Sequence, residues 1–382
     1  MKISDLLEKT IDNRGKTPPV SDNGYCLLEI NCIAGKQKYP DYSLIRKHVN
    51  KETYSTWFRS GHPKAGDILI PTVGTLDAIS IMDRNDCCIA QNLVAFRPNP
   101  SICDNEFLYY LLCNPTVRLR VLQLDIGAVQ PSIKVPHLKN LEVEIPALDV
   151  QKKIASILKA IDTKIFQNRK INENLSDQIQ AIYSNEFDPA THTPSGVLSD
   201  ICKYSSDRIP VSELSVSTYF STENMQPNKM GSVDATSLPS ITQTTGCHKG
   251  DVLISNIRPY FKKIVYVTND RCGCSTDVLC FVPKEAQYSA FLFGTLFMDR
   301  FFDYMVAGSK GTKMPRGDKQ QIMNYPVVLP DKESLDLFNG LIVPMLDQIS
   351  TNRIESCKLA LLRDALLPKL MSGELDVSEL DL

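Results

Sequence analysis

A chain of 382 residues exceeds what one hydrophobic core usually organises, so two or more domains are expected, and its 43% hydrophobic and 23% charged residues are ordinary for a globular protein. The formal net charge of -2 excludes a protein that holds nucleic acid by bulk positive charge alone. No apolar run reaches the roughly 18 residues of a membrane span, and the opening "MKISDLLEKTIDNRG" is amphipathic with acidic residues, unlike a leader peptide, so the cytoplasm is the expected location.

In chain order, residues 1–146 hold short apolar runs punctuated by turn residues, such as "GYCLLEINCI", "GDILIPTVG" and "CCIAQNLVAF", which read as strands. A helical segment follows, "NEFLYYLLCNPTVRLRVLQL", then a glycine-bearing loop, "GAVQPSIK", and a last short strand closing at Pro146. Next comes a long helix from about Asp149 to Phe187. Its apolar positions are spaced by threes and fours at Ile154, Leu158, Ile161, Ile165, Leu175, Ile179 and Ile182, as in a coiled-coil seam. At 1.5 Å per residue it makes a rod of roughly 55 Å. A narrow seam of that length wants a second helix to cover it.

Residues 188–330 repeat the plan with "GDVLISNI", "KKIVYVTND" and "DVLCFVP", a helical "SAFLFGTLFMDRFFDYMV", a loop "GSKGTKMPRG", and a strand closing at Pro330. Residues 331–371 supply the second long helix, with Phe338, Ile342, Met345, Ile349, Leu359, Leu362, Leu366 and Leu370 along its stripe. Pro344 falls inside that stripe, where it should kink the helix or mark its start. The segment 372–382 contains four acids and no base and is expected to remain exposed and disordered.

The likeness of the halves is in register. A shift of 184 carries "GDILI" at 66 onto "GDVLI" at 250, "FLYYLL" at 107 onto "FLFGTL" at 291, and "VEIP" at 143 onto "VVLP" at 327. It also carries "ND" at 85 onto 269 and "NR" at 168 onto 352. The chain therefore reads as a duplicated unit. The expected fold is α+β: two similar α/β domains separated by two long antiparallel coiled-coil helices, with pseudo-twofold symmetry. Asn168 and Asn172 either form polar layers that fix the register of the seam, with Asn352 equivalent to Asn168, or face solvent beside a broader stripe of Ile157, Ile161, Ile171 and Leu175.

No catalytic constellation is visible. The twelve cysteines include no C-x-x-C pair, only "CC" at 87 and "CGC" at 272, and the five histidines lie in no metal or nucleophile motif. Most of the thiols are expected as small buried hydrophobes, and no metal or cofactor is assigned. Two similar heads a fixed distance apart suit a bipartite target, of which duplex DNA is the commonest. Basic and amide side chains are then the candidate contacts. In the first half these are Lys36, Gln37, Lys38, Arg46, Lys47 and Lys51, with Gln130, Ser132 and Lys134 of the glycine-bearing loop. In the second they are Asn228 and Lys229, then Arg258, Tyr260, Lys262 and Lys263 of "NIRPYFKK", then Lys310, Lys313, Arg316 and Lys319. Trp57, the only tryptophan, is expected to pack rather than to stack on a base.

"IPALDVQKKIASILKAIDTKIFQNRKINENL" resembles the central region of the specificity subunits of type I restriction-modification systems, and "LLRDALLPKLMSGEL" is similar to the segment that closes them. "STENMQPNKMG" and "GTKMPRGD" resemble pieces of their target-recognition domains. The resemblance implies target-recognition domains at 1–146 and 188–330, helices at 147–187 and 331–371, and a non-catalytic subunit that reads a bipartite asymmetric DNA site. It also implies two DNA-methylating modification subunits docked on the helices and a restriction subunit beside them, with S-adenosylmethionine and ATP on those partners only. The alternative is a scaffold whose two heads bind proteins and whose coiled coil spaces them.

Overall fold

The computed structural model describes residues 1–35, 37–127 and 129–380. It divides into two compact units, one of residues 1–166 with 356–382 and one of residues 167–355. Each unit combines an α/β head with part of both long helices, Leu148–Phe187 and Lys332–Ser372. No helix among the described residues is long and apolar enough to cross a membrane.

The first unit is built on a four-stranded antiparallel sheet in the order Leu7–Ile11, Leu93–Pro98, Ile68–Pro71, Ser80–Ile81. Strands Ile68–Pro71 and Leu93–Pro98 are almost wholly buried, which explains their unbroken apolar runs. A smaller sheet pairs Tyr25–Leu28 in parallel with Cys87–Ile89. Helices Asn105–Cys113 and Pro115–Leu122 cover the main sheet. They meet at Asn114, whose side chain accepts from the Thr116 amide and caps the second helix.

The second unit repeats this arrangement. Its main sheet runs Cys202–Tyr204, Val278–Pro283, Val252–Ser255, Ile264–Tyr266, again antiparallel throughout. Tyr219–Phe220 pairs in parallel with Cys272–Cys274, and a strand pair at Arg208–Pro210 and Gln243–Cys247 extends that smaller sheet. Helices Ser289–Phe297 and Asp299–Ala307 stand 184 residues after their counterparts. The expected α+β class, with duplicated α/β heads and two long helices, is what the chain adopts.

Within each unit the long helices run antiparallel. In the first, Asp162 meets Arg363 and Lys153 meets Ser378. Ile154, Ala155 and Leu158 share a core with Leu367 and Leu370, while Ile161, Ile165, Leu359 and Leu366 are half-buried. In the second, Asn172 meets Asn352 and Asn168 meets Glu355. Ile179, Phe338, Ile342 and Ile349 are buried there, and Leu175, Ile182 and Met345 are partly so.

Several expectations are corrected. Leu362 is exposed, and Leu346 takes the buried position expected of Met345. Tyr183, Phe187 and Leu335 join the core because the stripe there turns toward the head, where Phe187 lies edge-on to Phe291 at 5.1 Å and to Phe338 at 5.5 Å. Pro344 does not start the helix, which begins at Lys332. The proline and Gly340, whose carbonyl it leaves without an N–H donor, both face solvent, so water can serve that carbonyl. The acidic segment is not free: Val377 is buried in the first core, and Lys153 Nζ donates to the Ser378 carbonyl. Asn168 and Asn352 are buried and bonded in the seam while Ile171 is exposed, so the polar-layer arrangement holds.

Candidate nucleic-acid interface

The duplication extends to individual loop hydrogen bonds. In the first unit the strand Ile68–Pro71 runs on to Gly74, whose amide donates to the Pro131 carbonyl at 2.8 Å, while Val73 bridges Ser132. In the second, the Arg258 amide donates to the Pro315 carbonyl at 2.8 Å, and Ile257 bridges Arg316. All four positions are related by the shift of 184. The backbone at the joint is left-handed in both units, with φ of 83° at Gly74 and 51° at Arg258. A non-glycine residue pays roughly 1–2 kcal/mol for that conformation, so Arg258 is held where glycine would sit more easily.

What the common backbone carries differs. In the first unit the Asp125 carboxylate accepts from the Gly127 and Ser132 amides at 2.8 Å, and these bonds hold it below its ordinary pKa. They close a loop that exposes Val129, Gln130 and Lys134 and half-buries Ser132. A Cβ on Gly74 would lie 3.3 Å from Gln130 Nε2, so the Gln130 amide sits over the joint. In the second unit Lys310 and Arg316 exchange main-chain hydrogen bonds of 2.9 and 3.0 Å, and the first of these has its counterpart in the bond from the Ile126 amide to the Ser132 carbonyl at 2.9 Å. Lys310, Lys313, Met314, Arg316 and Lys319 are exposed. Arg316 Nη2 donates to Asp277 Oδ1 at 2.9 Å, and Lys310 pairs with Asp318 at 2.7 Å.

A third loop joins this surface. The Asn228 and Lys229 amides donate to the Phe261 and Lys262 carbonyls at 2.8 Å. Asn228, Lys229 and Lys262, like Arg258, are left-handed. The three loops singled out in the second half thus form one surface, with Asn228 and the tilted pair Tyr260–Phe261 exposed on it.

Not every basic residue there points outward. Lys229 is half-buried, its side chain only 11% exposed, with Nζ 2.7 Å from Asp299 and 4.7 Å from the Phe297 ring centroid, and Lys262 reaches the same carboxylate at 3.0 Å. Burial pushes Asp299 up, yet the two ammonium groups outweigh it and hold its pKa below the usual value, while burial depresses Lys229. Lys263 donates to the Thr222 carbonyl. These three lysines brace the loops from inside, contrary to their expected role at the surface.

In the first unit Lys38 is likewise withdrawn. Its Nζ is 2.8 Å from Glu106 and 3.1 Å from the Tyr110 hydroxyl, and lies 5.0 Å from the Tyr110 ring centroid. Lys47 pairs with Glu29 at 2.7 Å, Arg46, Gln37 and Lys51 are exposed, and Lys36 lies outside the described residues. Trp57 packs edge-on against Phe58 at 5.0 Å. Sequence reasoning missed Asp277 and Phe261. Nothing in the local sequence signals that Asp277 reaches Arg316 across 39 residues.

Among the described residues of the heads no cysteine is fully exposed. Cys26 and Cys113 are half-buried, Cys357 on the second long helix is exposed, and the other nine are buried. Burial pushes the Cys88, Cys103 and Cys202 thiols up to about 12, which keeps them protonated.

Residues 35–177 match the family described as the type I restriction modification DNA specificity domain. Among curated proteins, the chain is similar to the MjaIX type I restriction enzyme specificity subunit of Methanocaldococcus jannaschii. The two are 24% identical over 411 aligned residues, covering 99% of this chain and 94% of that one. The MjaVIII specificity subunit of the same organism is 33% identical over 182 residues, 46% of this chain and 42% of the relative. The HindI specificity subunit of Haemophilus influenzae is 20% identical over 82% of this chain and 87% of its own. The crystal structure of a type I restriction-modification S subunit from M. genitalium shares the fold, with a TM-score of 0.59 and 15% identity over 97% of this chain and 95% of that one.

Proposed function

We infer that this chain is a specificity subunit of a type I restriction-modification system, a DNA-reading protein that carries no catalytic centre of its own. The observation that carries this reading is the pair of equivalent loop joints, at Gly74 with Ser132 and at Arg258 with Arg316, on which one backbone presents two different sets of side chains. A duplicated binder with that property reads two unlike half-sites, which together make an asymmetric bipartite sequence. A scaffold for two proteins would not explain why relatives aligned over 99% and 82% of this chain are named as type I restriction enzyme specificity subunits.

In this reading the outward lysines, such as Lys313 and Lys134, neutralise phosphates, and amide and guanidinium groups read base edges. Modification and restriction subunits are the partners that supply chemistry, with S-adenosylmethionine and ATP on those partners. The long helices provide the docking face and set the number of base pairs left unread between half-sites. The near-neutral charge of the chain fits a binder that shares phosphate neutralisation with its partners.

The test is selection from a random-sequence DNA library by the assembled methyltransferase complex, with methylome sequencing of cells that carry it. The expected outcome is one bipartite motif of fixed gap, and weak, steeply salt-dependent binding by the chain alone. A complex that selects no bipartite motif would sink the reading.

A further inference from the structure

We propose that Arg316, oriented by Asp277, reads a guanine in the half-site bound by the second unit. This rests on the DNA-specificity reading above and adds to it a residue and a base. Three observations lead to it. The first is positional. Arg316 occupies the same bridge as Ser132 in the other unit, on a backbone held by the same hydrogen bonds. Outward positions where equivalent backbones carry different chemistry are the ones that can give two copies different targets. Here one copy has a guanidinium and the other a hydroxyl. The supporting residue differs too: the bond from the Asn256 amide to the Asp277 carbonyl is repeated between Thr72 and Asn92, so the carboxylate is matched by a neutral amide.

The second observation is orientation. Arg316 is about half exposed, and one edge of its guanidinium is tied at Nη2 to Asp277 Oδ1 at 2.9 Å. No other side-chain partner engages it among the described residues, so donors remain for a ligand. Guanidinium is planar with fixed donor directions, and a side chain already held by a carboxylate loses less freedom when it binds.

The third concerns charge, and it separates a base from a phosphate. A carboxylate beside an arginine repels an approaching phosphate, whereas the O6 and N7 acceptors of guanine are neutral and match two parallel donors. Lys313, exposed in the same loop and with no ion-pair partner among the described residues, is suited to the backbone instead. The pair Arg316–Asp277 has the electrostatics of a base reader.

The experiment uses the assembled methyltransferase complex and the same library selection, on wild type and on Arg316→Ala, Arg316→Gln and Lys313→Ala. For Arg316→Ala we expect discrimination at one G·C pair to fall about tenfold to a hundredfold, with the other half of the motif unchanged. Arg316→Gln keeps a donor near Asp277 and is expected to shift that position toward adenine, which an amide reads in the same bidentate way. Lys313→Ala should weaken all sequences alike and lower the salt slope by about one. An unchanged motif in both Arg316 variants, relaxation at an A·T pair, or uniform weakening would overturn the proposal while leaving the bipartite reading intact. Absence of any motif for the wild type would instead overturn the reading beneath it. Thermal unfolding of each variant separates loss of reading from loss of fold.

Discussion

At the scale of single residues, two groups in the first unit have consequences that can be measured. His62 is stacked on Tyr54 at 3.7 Å with nearly parallel rings, its Nε2 lies 2.8 Å from the Tyr54 carbonyl, and Tyr54 is stacked in turn on Tyr25. Burial lowers the His62 pKa, only partly opposed by its bond to Tyr54. The folded state therefore binds fewer protons than the unfolded one just below the ordinary histidine value of about 6.5. Stability is fully present above that value and falls as pH drops through it toward the folded pKa. Thermal unfolding between pH 8 and pH 5, as working conditions of about that range, should show this slope, and His62→Gln should flatten it; parallel slopes would refute the assignment. Asp162 is the second group. It accepts from Arg363 Nη1 at 2.9 Å and from the Tyr110 hydroxyl at 2.6 Å, with its side chain 10% exposed. Asp162→Ala leaves the Arg363 guanidinium with Asp364 alone and removes the acceptor of the Tyr110 hydroxyl, and is expected to cost about 1–3 kcal/mol in denaturant unfolding. Replacing the pair together as Asp162→Leu with Arg363→Met should restore part of that loss, because it removes the guanidinium whose partner is lost and fills the site with apolar groups.

At the scale of elements, the long helices were legible in sequence because a spacing of threes and fours survives folding wherever one helix meets another. It gave Ile154, Leu158, Ile179, Phe338, Ile342 and Ile349 as buried positions. It failed at the ends of the seam, where each helix meets a head whose residues lie far away in sequence. Tyr183 is covered there by Phe291 and by Gly294, at which a Cβ would come within 2.8 Å of the tyrosine ring. Gly294→Val should accordingly destabilise the second unit by about 1–3 kcal/mol through overpacking, read as a lower denaturant midpoint at unchanged slope. The amide layer is the other element-level device. Asn352 Nδ2 donates to Asn172 Oδ1 at 2.8 Å, and Asn168 Nδ2 to Glu355 Oε2 at 2.7 Å. Asn352→Leu takes away a partner of Asn172 inside the seam and should cost about 1–3 kcal/mol. An undiminished midpoint would show that the layer is hydrated rather than bonded.

At the scale of the whole molecule, the duplication was legible as five landmarks in one register, and the structure extends it to helix boundaries and loop hydrogen bonds. The candidate interface was legible only in part. Three basic loops of the second half do come together, but which cations remain outward depends on distant carboxylates. Asp299 holds Lys229 and Lys262, Glu106 holds Lys38, and no local pattern announces either. Main-chain pairing between loops, such as Asn228 to Phe261, is equally silent in composition.

The first unit is assembled from residues 1–166 and 356–382, whereas the second is one continuous stretch. Leu367, Leu370 and Val377 belong to the core that also holds Ile3, Ile68 and Phe107. During synthesis the leading head is then expected to wait with an open apolar face while some 189 further residues are added, about ten to forty seconds at elongation rates of about 5–20 residues per second. The trailing segment can close before it. The expected order of folding is thus the reverse of the order of synthesis. A released chain truncated after Glu355 should offer protease-sensitive sites in its first 166 residues and few in the stretch that follows.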